Sequence, residues 1–317
     1  MFSDETLSKL ELLDEKFKAK GQDLNAYLDG LYFSEFLTYW DYVHLDTLLS
    51  LQKPRTKIKD EKIFIVYHQI TELYFNLCLH EFEQIRTAGE KDLNETYVLN
   101  KVKRINNYFK ALISSYEIMV DGMEKEQFLN FRMALLPASG FQSAQYRKIE
   151  IASSHLHNLI NFNQRNEIDE QASIAELYNY AYWKKGAIDL KTGKKTLTLK
   201  MFEERYDKEF IEFSEMYEKR NLHYIVKNIV KSPSAELIDA LRTLDINVNV
   251  NWPLSHYKSA VRYLQKDPEN VEATGGTNWQ KYLPPRFQKV IFFPEFWTSE
   301  EQENWGKSWV ESAIKNS

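Results

Sequence analysis

Apolar side chains recur at alternating spacings of three and four along most of this chain, the period of helices that bury one face. Leu7, Leu10, Leu13 and Phe17 form the first such stripe, which stops before Gly21. A second covers residues 31–52 and ends ahead of Pro54. The clearest lies over residues 60–86, where Ile63, Tyr67, Ile70, Tyr74 and Leu77 line one face and acids sit at the start, as the helix dipole favours. Val98, Val102, Ile105, Phe109, Leu112 and Tyr116 mark a helix over residues 94–122. Helices are also predicted over 124–136, 142–164, 170–183 and 200–230, with an exposed loop at Asp189–Lys195. Ser232-Pro233 opens a helix that runs to residue 245, and Pro253 opens the one carrying His256. The tail from Pro284 is rich in Phe, Trp and Pro and less regular. The predicted fold is all-α: one large helical domain over residues 1–317 with a pocket between helices, and a small inserted helical and loop segment near 165–235.

Composition supports long helices, because 10 Gly and 8 Pro are few turn formers for 317 residues. A hydrophobic fraction of 43% is enough for a sizeable core. Lys plus Arg (41) against Asp plus Glu (46) gives a net charge of −5 with no long basic run, so nucleic acid is not an expected partner. The single Cys78 excludes an intramolecular disulfide and a Cys-x-x-Cys metal site. No run of 18 apolar residues is present and the first residues, Met1-Phe2-Ser3-Asp4-Glu5, carry no signal-peptide pattern. The expectation is a soluble, cytoplasmic protein without a membrane partner.

The candidate chemistry centres on Phe131-Arg132-Met133-Ala134-Leu135-Leu136-Pro137-Ala138-Ser139-Gly140-Phe141-Gln142-Ser143. Pro137 must end the helix, which holds Arg132 near a terminus beside the backbone amides and hydroxyls of residues 138–143. A guanidinium there can grip a carboxylate through its two-pronged fork, and Phe128, four residues earlier, shares its face. On the local pattern alone, a surface arginine above an ordinary helix end is the favoured reading. His68 shares a face with Phe64, Thr71 and Phe75, where a lone histidine is most often a satisfied core residue. His256 lies off the stripe Leu254, Tyr257, Val261, Leu264, beside the small Ser259 and Ala260. Thr274-Gly275-Gly276-Thr277 reads as a turn, the commonest meaning of Thr-Gly-Gly, and glycines let a backbone approach a ligand closely.

Three blocks together carry a resemblance: Asp60 to Gln69 with Glu72-Leu73-Tyr74-Phe75 and His80-Glu81; Phe131-Arg132 through Pro137-Ala138-Ser139-Gly140-Phe141-Gln142-Ser143 to Gln145-Tyr146-Arg147; and His256, Val261-Arg262, Thr274-Gly275-Gly276-Thr277 with Tyr282-Leu283. In this order they resemble the tryptophan 2,3-dioxygenase family, over roughly residues 36–296. The resemblance implies haem b, held non-covalently with its iron ligated by His256, and O₂ as co-substrate. It implies that His68 accepts the indole N–H of L-tryptophan, that Phe64 and Phe128 pack on the substrate, and that Arg132, Ser139 and Thr274 meet its polar end. Tyr39, Tyr42 and Val43 are implied to line the pocket of a neighbouring subunit in a homotetramer, reached by residues 1–50. The implied reaction cleaves the indole C2–C3 bond to N-formylkynurenine, the opening of the kynurenine route of tryptophan degradation. Ala273 and Asn278-Trp279 depart from the small, glycine-rich loop of the family. They keep alive a relative that inserts one oxygen into a modified indole; a haem- and tryptophan-binding sensor without turnover is the other alternative.

Overall fold

The computed structural model describes residues 2–34, 37–89, 91–186, 193–264 and 284–306. It is all-α, and the β pairing among the described residues is one isolated bridge between Ile160 and Ala181. None of the described helices is long and apolar enough to cross a membrane. The chain forms two compact units, residues 1–53 and 54–317.

The first unit holds α1 (Asp4–Lys18), α2 (Leu24–Tyr32), α3 (Tyr39–Tyr42) and α4 (Leu45–Ser50). Ser3, Asp23 and Thr38 start three of them by accepting a backbone N–H into the side chain. The continuous helix expected over 31–52 is therefore broken: Thr38 caps a new start, and His44 at φ 50° separates α3 from α4. Leu24 is the one buried apolar side chain among the described residues of this unit, while Tyr32, Phe33, Tyr39, Trp40 and Tyr42 are exposed.

The second unit is built on α5 (Glu61–Thr87), which packs on α6 (Glu95–Ser115) and α9 (Ala144–Ser153). Between them run α7 (Glu117–Val120) and α8 (Lys125–Phe131). The segment near 165–235 supplies α10 (Ile174–Asn179), α11 (Trp183–Gly186), α12 (Leu197–Tyr217) and α13 (Leu222–Ile225), with α12 lying along α9. Then α14 (Ala235–Ile246) packs on α6 and leads to α15 (Trp252–Leu264). The predicted stripe of α6 is the core itself: Val98, Val102, Ile105, Phe109 and Leu112 are all fully buried.

Other expectations change as well, and the helices predicted over 170–183 and 200–230 are each divided, into α10 and α11 and into α12 and α13. The buried row of α5 is Tyr67, Thr71, Phe75, Cys78, Phe82 and Ile85, whereas Ile70 and Leu77 are exposed. Thr71 and Cys78 are small enough to let α6 and α9 approach that side. The helix predicted over 142–164 ends at Ser153 and gives way to a 3-10 turn at Leu156–Leu159. The cap of α14 is Ser234, whose hydroxyl accepts from the Leu237 amide, not Ser232. Pro253 does not open a helix: α14 passes through a π-helical turn, Asn247–Asn251, directly into α15. Proline cannot donate to the turn before it, and the wider turn, closed by Trp252 N–H to the Asn247 carbonyl, relieves its clash without breaking the helix.

Glu61, at the start of α5, is fully buried and accepts from the amides of Arg55 (2.6 Å) and Thr56 (2.7 Å) and from the Thr56 hydroxyl (2.5 Å). Burial works to raise its pKa, but these donors outweigh it and hold the carboxyl below its ordinary 4.5. Glu61→Ala should cost about 1–3 kcal/mol at neutral pH by leaving two amides without an acceptor. Because a depressed carboxylate pKa contributes stability above 4.5 that fades as pH falls through the folded value, the gap from the unmutated chain should close in acid. Urea titrations at neutral pH and well below 4.5 measure both.

Candidate functional site

A cavity of about 310 Å³ opens where α5, α8, α15 and the turns after Pro137 meet. Phe64, His68, Phe128, Ser139 and His256, chosen from the sequence, all line it. So do Ser259 and Ala260, the small neighbours of His256.

The two histidines are held in the same way. His68 Nδ1 lies 2.7 Å from the Phe64 carbonyl and His256 Nδ1 lies 3.2 Å from the Trp252 carbonyl, each four residues earlier on its own helix. A carbonyl can only accept, so Nδ1 carries the proton in both rings and Nε2 keeps its lone pair. The Phe64 ring lies 4.1 Å from His68; Tyr116 and Trp252 each lie 4.7 Å from His256. Burial among these rings lowers both pKa values from 6.5, that of His256 to about 4, against smaller upward pulls from the helix carbonyls and, at His68, from Glu72. Both are neutral at physiological pH, the state that can ligate a metal or accept a hydrogen bond.

The break after α8 brings the polar end of the site together. Residues 132–135 tighten into a 3-10 turn, and Ser139 caps a second over Gly140–Gln142. The Ser139 hydroxyl accepts from the Phe141 amide while the Gln142 side chain returns to the Ser139 amide. Gln142 also donates to the Thr198 carbonyl and the Thr198 hydroxyl to the Pro137 carbonyl, which ties the turn to α12. Arg132 is 7% exposed, not on the surface, and burial alone lowers its pKa. It is not among the described side chains that line the cavity; the guanidinium that lines it is that of Arg147.

Arg147 carries no role in the sequence reading. It pairs with buried Glu150 at 2.8 Å and donates to the Tyr182 hydroxyl at 2.6 Å, which in turn donates to Glu150 at 2.5 Å. The rings of Phe141, Tyr146, Tyr182 and Trp183 all lie within 5.6 Å of its charge. Burial pushes the Glu150 carboxyl up, and Arg147 and Tyr182 pull it back. The available signal was the Arg147/Glu150 spacing of three on one helix face.

Tyr39 and Tyr42 are 72% and 74% exposed on α3, with Val43 at its C-terminal cap, all within the first unit. Thr274, with Ala273, Asn278 and Trp279, lies outside the described residues.

A sequence model of the family described as Tryptophan 2,3-dioxygenase matches residues 30–252. The chain belongs to the tryptophan 2,3-dioxygenase family. Proteins of that name include one from Bacillus anthracis, 27% identical over 278 residues that cover 84% of this chain and 92% of the relative. Shorter matches are stronger: 37% identity over 118 residues with the protein of Ruegeria sp. (strain TM1040) and 39% over 117 with that of Anaeromyxobacter sp. (strain K). Those stretches cover 37% of this chain and span only 42% and 43% of the two relatives. Membership implies a haem cofactor and use of O₂. The cavity suits such a group by its donor set: a neutral imidazole with Nε2 open to metal, aromatic walls and one guanidinium.

The histidines also set a pH dependence. Their folded pKa values lie below the unfolded 6.5, so the unfolded chain takes up protons first as pH falls. In the protein without cofactor, stability should be complete above 6.5 and decline as pH drops towards about 4. His256→Gln, which cannot titrate, should flatten that decline, as thermal midpoints across the range would show.

Proposed function

We propose that this chain is a haem-dependent tryptophan 2,3-dioxygenase that converts L-tryptophan and O₂ to N-formylkynurenine in the cytoplasm, at the head of the kynurenine route. The observation that carries it is the pair of neutral histidines, His68 and His256, presenting Nε2 to one aromatic cavity in a chain of this family. His256 would hold the haem iron, and Arg147, already paired with Glu150, would keep its stretch of the cavity wall in place. When bound, the haem supplies O₂ binding and activation.

The protein's share is position and electrostatics. His68 Nε2 accepts the indole N–H and keeps the ring in register, with Phe64 and Phe128 packed on its faces. Arg132 pairs with the substrate carboxylate, Ser139 offers its hydroxyl proton to the same end, and Thr274 completes the amino-acid contacts. We assign the chain to a homotetramer in which Tyr39, Tyr42 and Val43 enter a neighbour's pocket. The exposed aromatic surface of the first unit, which needs a partner to cover it, supports that assembly.

Labelled O₂ and mass analysis test the reaction: both atoms should appear in N-formylkynurenine. A product one oxygen heavier would point to the monooxygenating relative, and a perturbed haem spectrum without product to the sensor. His256→Ala should lose the histidine-ligated Soret band or the haem itself, whereas His68→Ala should keep it.

Arg132→Ala should cost on the order of 2–5 kcal/mol in binding or turnover of tryptophan, the usual loss when a desolvated charge loses its partner. Indole analogues without the carboxylate should be little affected. Equal losses for both would assign Arg132 to structure. His68→Ala should be milder, about 0.5–1.5 kcal/mol for one neutral hydrogen bond.

A further inference from the structure

Asp245 is fully buried on α14 and has no part in the chemistry above. Its carboxylate accepts four hydrogen bonds: from the amides of Phe292 (2.6 Å) and Phe293 (3.1 Å), the indole of Trp297 (3.0 Å) and the side chain of Asn249 (2.9 Å). Three of these donors belong to the segment after Pro284, and Pro285, Gln288 and Val290 of that segment line the cavity. The fourth donor, Asn249, lines the cavity too and sits in the π-helical turn. A small apolar cluster of Val250, Leu254, Ile291, Trp297 and Trp305 packs the same two pieces together.

The π turn explains how one helix serves both sides. Asp245 and His256 are eleven residues apart, and at about 100° per residue a regular α-helix would put them within about 20° of one face. The wide turn absorbs one residue and turns them roughly a quarter of a circle apart. Asp245 can then face the 292–297 segment while His256 faces the cavity.

We propose that Asp245 is a positioning residue for the haem cavity: through Asn249 it sets the turn that aims His256, and through the 292–297 segment it fixes the wall formed by Pro285, Gln288 and Val290. The inference rests on the haem reading above only for the first of its two tests.

In the haem-loaded protein, Asp245→Asn turns an amide N–H₂ against donors that need an acceptor. Haem loss to excess apomyoglobin should accelerate by about tenfold or more. The Soret position should stay, because His256 remains. Val98→Ala, a truncation in the core of α6, controls for lost stability and should leave that rate close to the unmutated one. In the protein without haem, Asp245→Asn should raise amide hydrogen exchange over both 284–297 and 249–256, and Val98→Ala should not. Unchanged haem loss, equal acceleration by Val98→Ala, or faster exchange confined to 284–297 would each overturn the proposal. A wild-type chain that takes up no haem would refute the haem reading, and the exchange measurement would still decide this one. Should Asp245→Asn not fold, Trp297→Phe and Asn249→Ala each delete one donor and carry the same comparison with smaller expected effects.

Discussion

The site depends on one hydrogen bond made twice: a histidine Nδ1–H given to the carbonyl four residues back on its own helix. That bond decides the tautomer, fixes the ring plane and turns Nε2 outward, using an acceptor every helix already has. A carboxylate in the same place would favour the charged ring. The helix carbonyl is a weaker pull, so burial among Phe64, Tyr116 and Trp252 wins and both rings stay neutral. Each histidine therefore needs an aromatic wall, and the walls require the tight packing of α5, α6 and α15.

The charged part of the site is built on the opposite plan. Arg147 and Glu150 pair in the interior, and the neutral Tyr182 hydroxyl bonds to both. Such a pair adds little net stability over an apolar equivalent, yet removing one member typically costs about 3–5 kcal/mol. A buried guanidinium ringed by aromatic faces is also held in one orientation, which suits a group that must meet a ligand in a fixed place.

Most of the helices and the heart of the site were legible in the sequence. The α6 stripe is the core because its period is regular and its residues are wholly apolar. Phe64 with His68, and His256 with Ser259 and Ala260, follow from spacing on one face. The buried face of α5 differs from the predicted one because it includes the polar Thr71 and the small Cys78, whose signal is weaker than that of the larger Ile70 and Leu77. Pro253 read as a start because proline suits a first turn, and a π turn that absorbs it leaves no mark in residue type. Arg147 was hidden by the more visible Arg132, since burial depends on how α9, α11 and α12 meet, which no local pattern encodes. The first unit's break at His44 escaped because a left-handed residue there owes nothing to glycine.

The cavity walls come from residues 64–75, 116–147, Tyr182, 249–264 and 285–290. Pieces so distant along the chain must all be made before they can meet, and non-local closure of this kind is slow. The last wall lies more than 200 residues after the first, a delay on the order of tens of seconds at ordinary translation rates. During that interval the cavity-facing Phe64 and Phe75 of α5 lack the last of the walls that enclose them. A cofactor that binds the assembled walls then stabilises the finished fold by an amount that grows with the logarithm of its concentration.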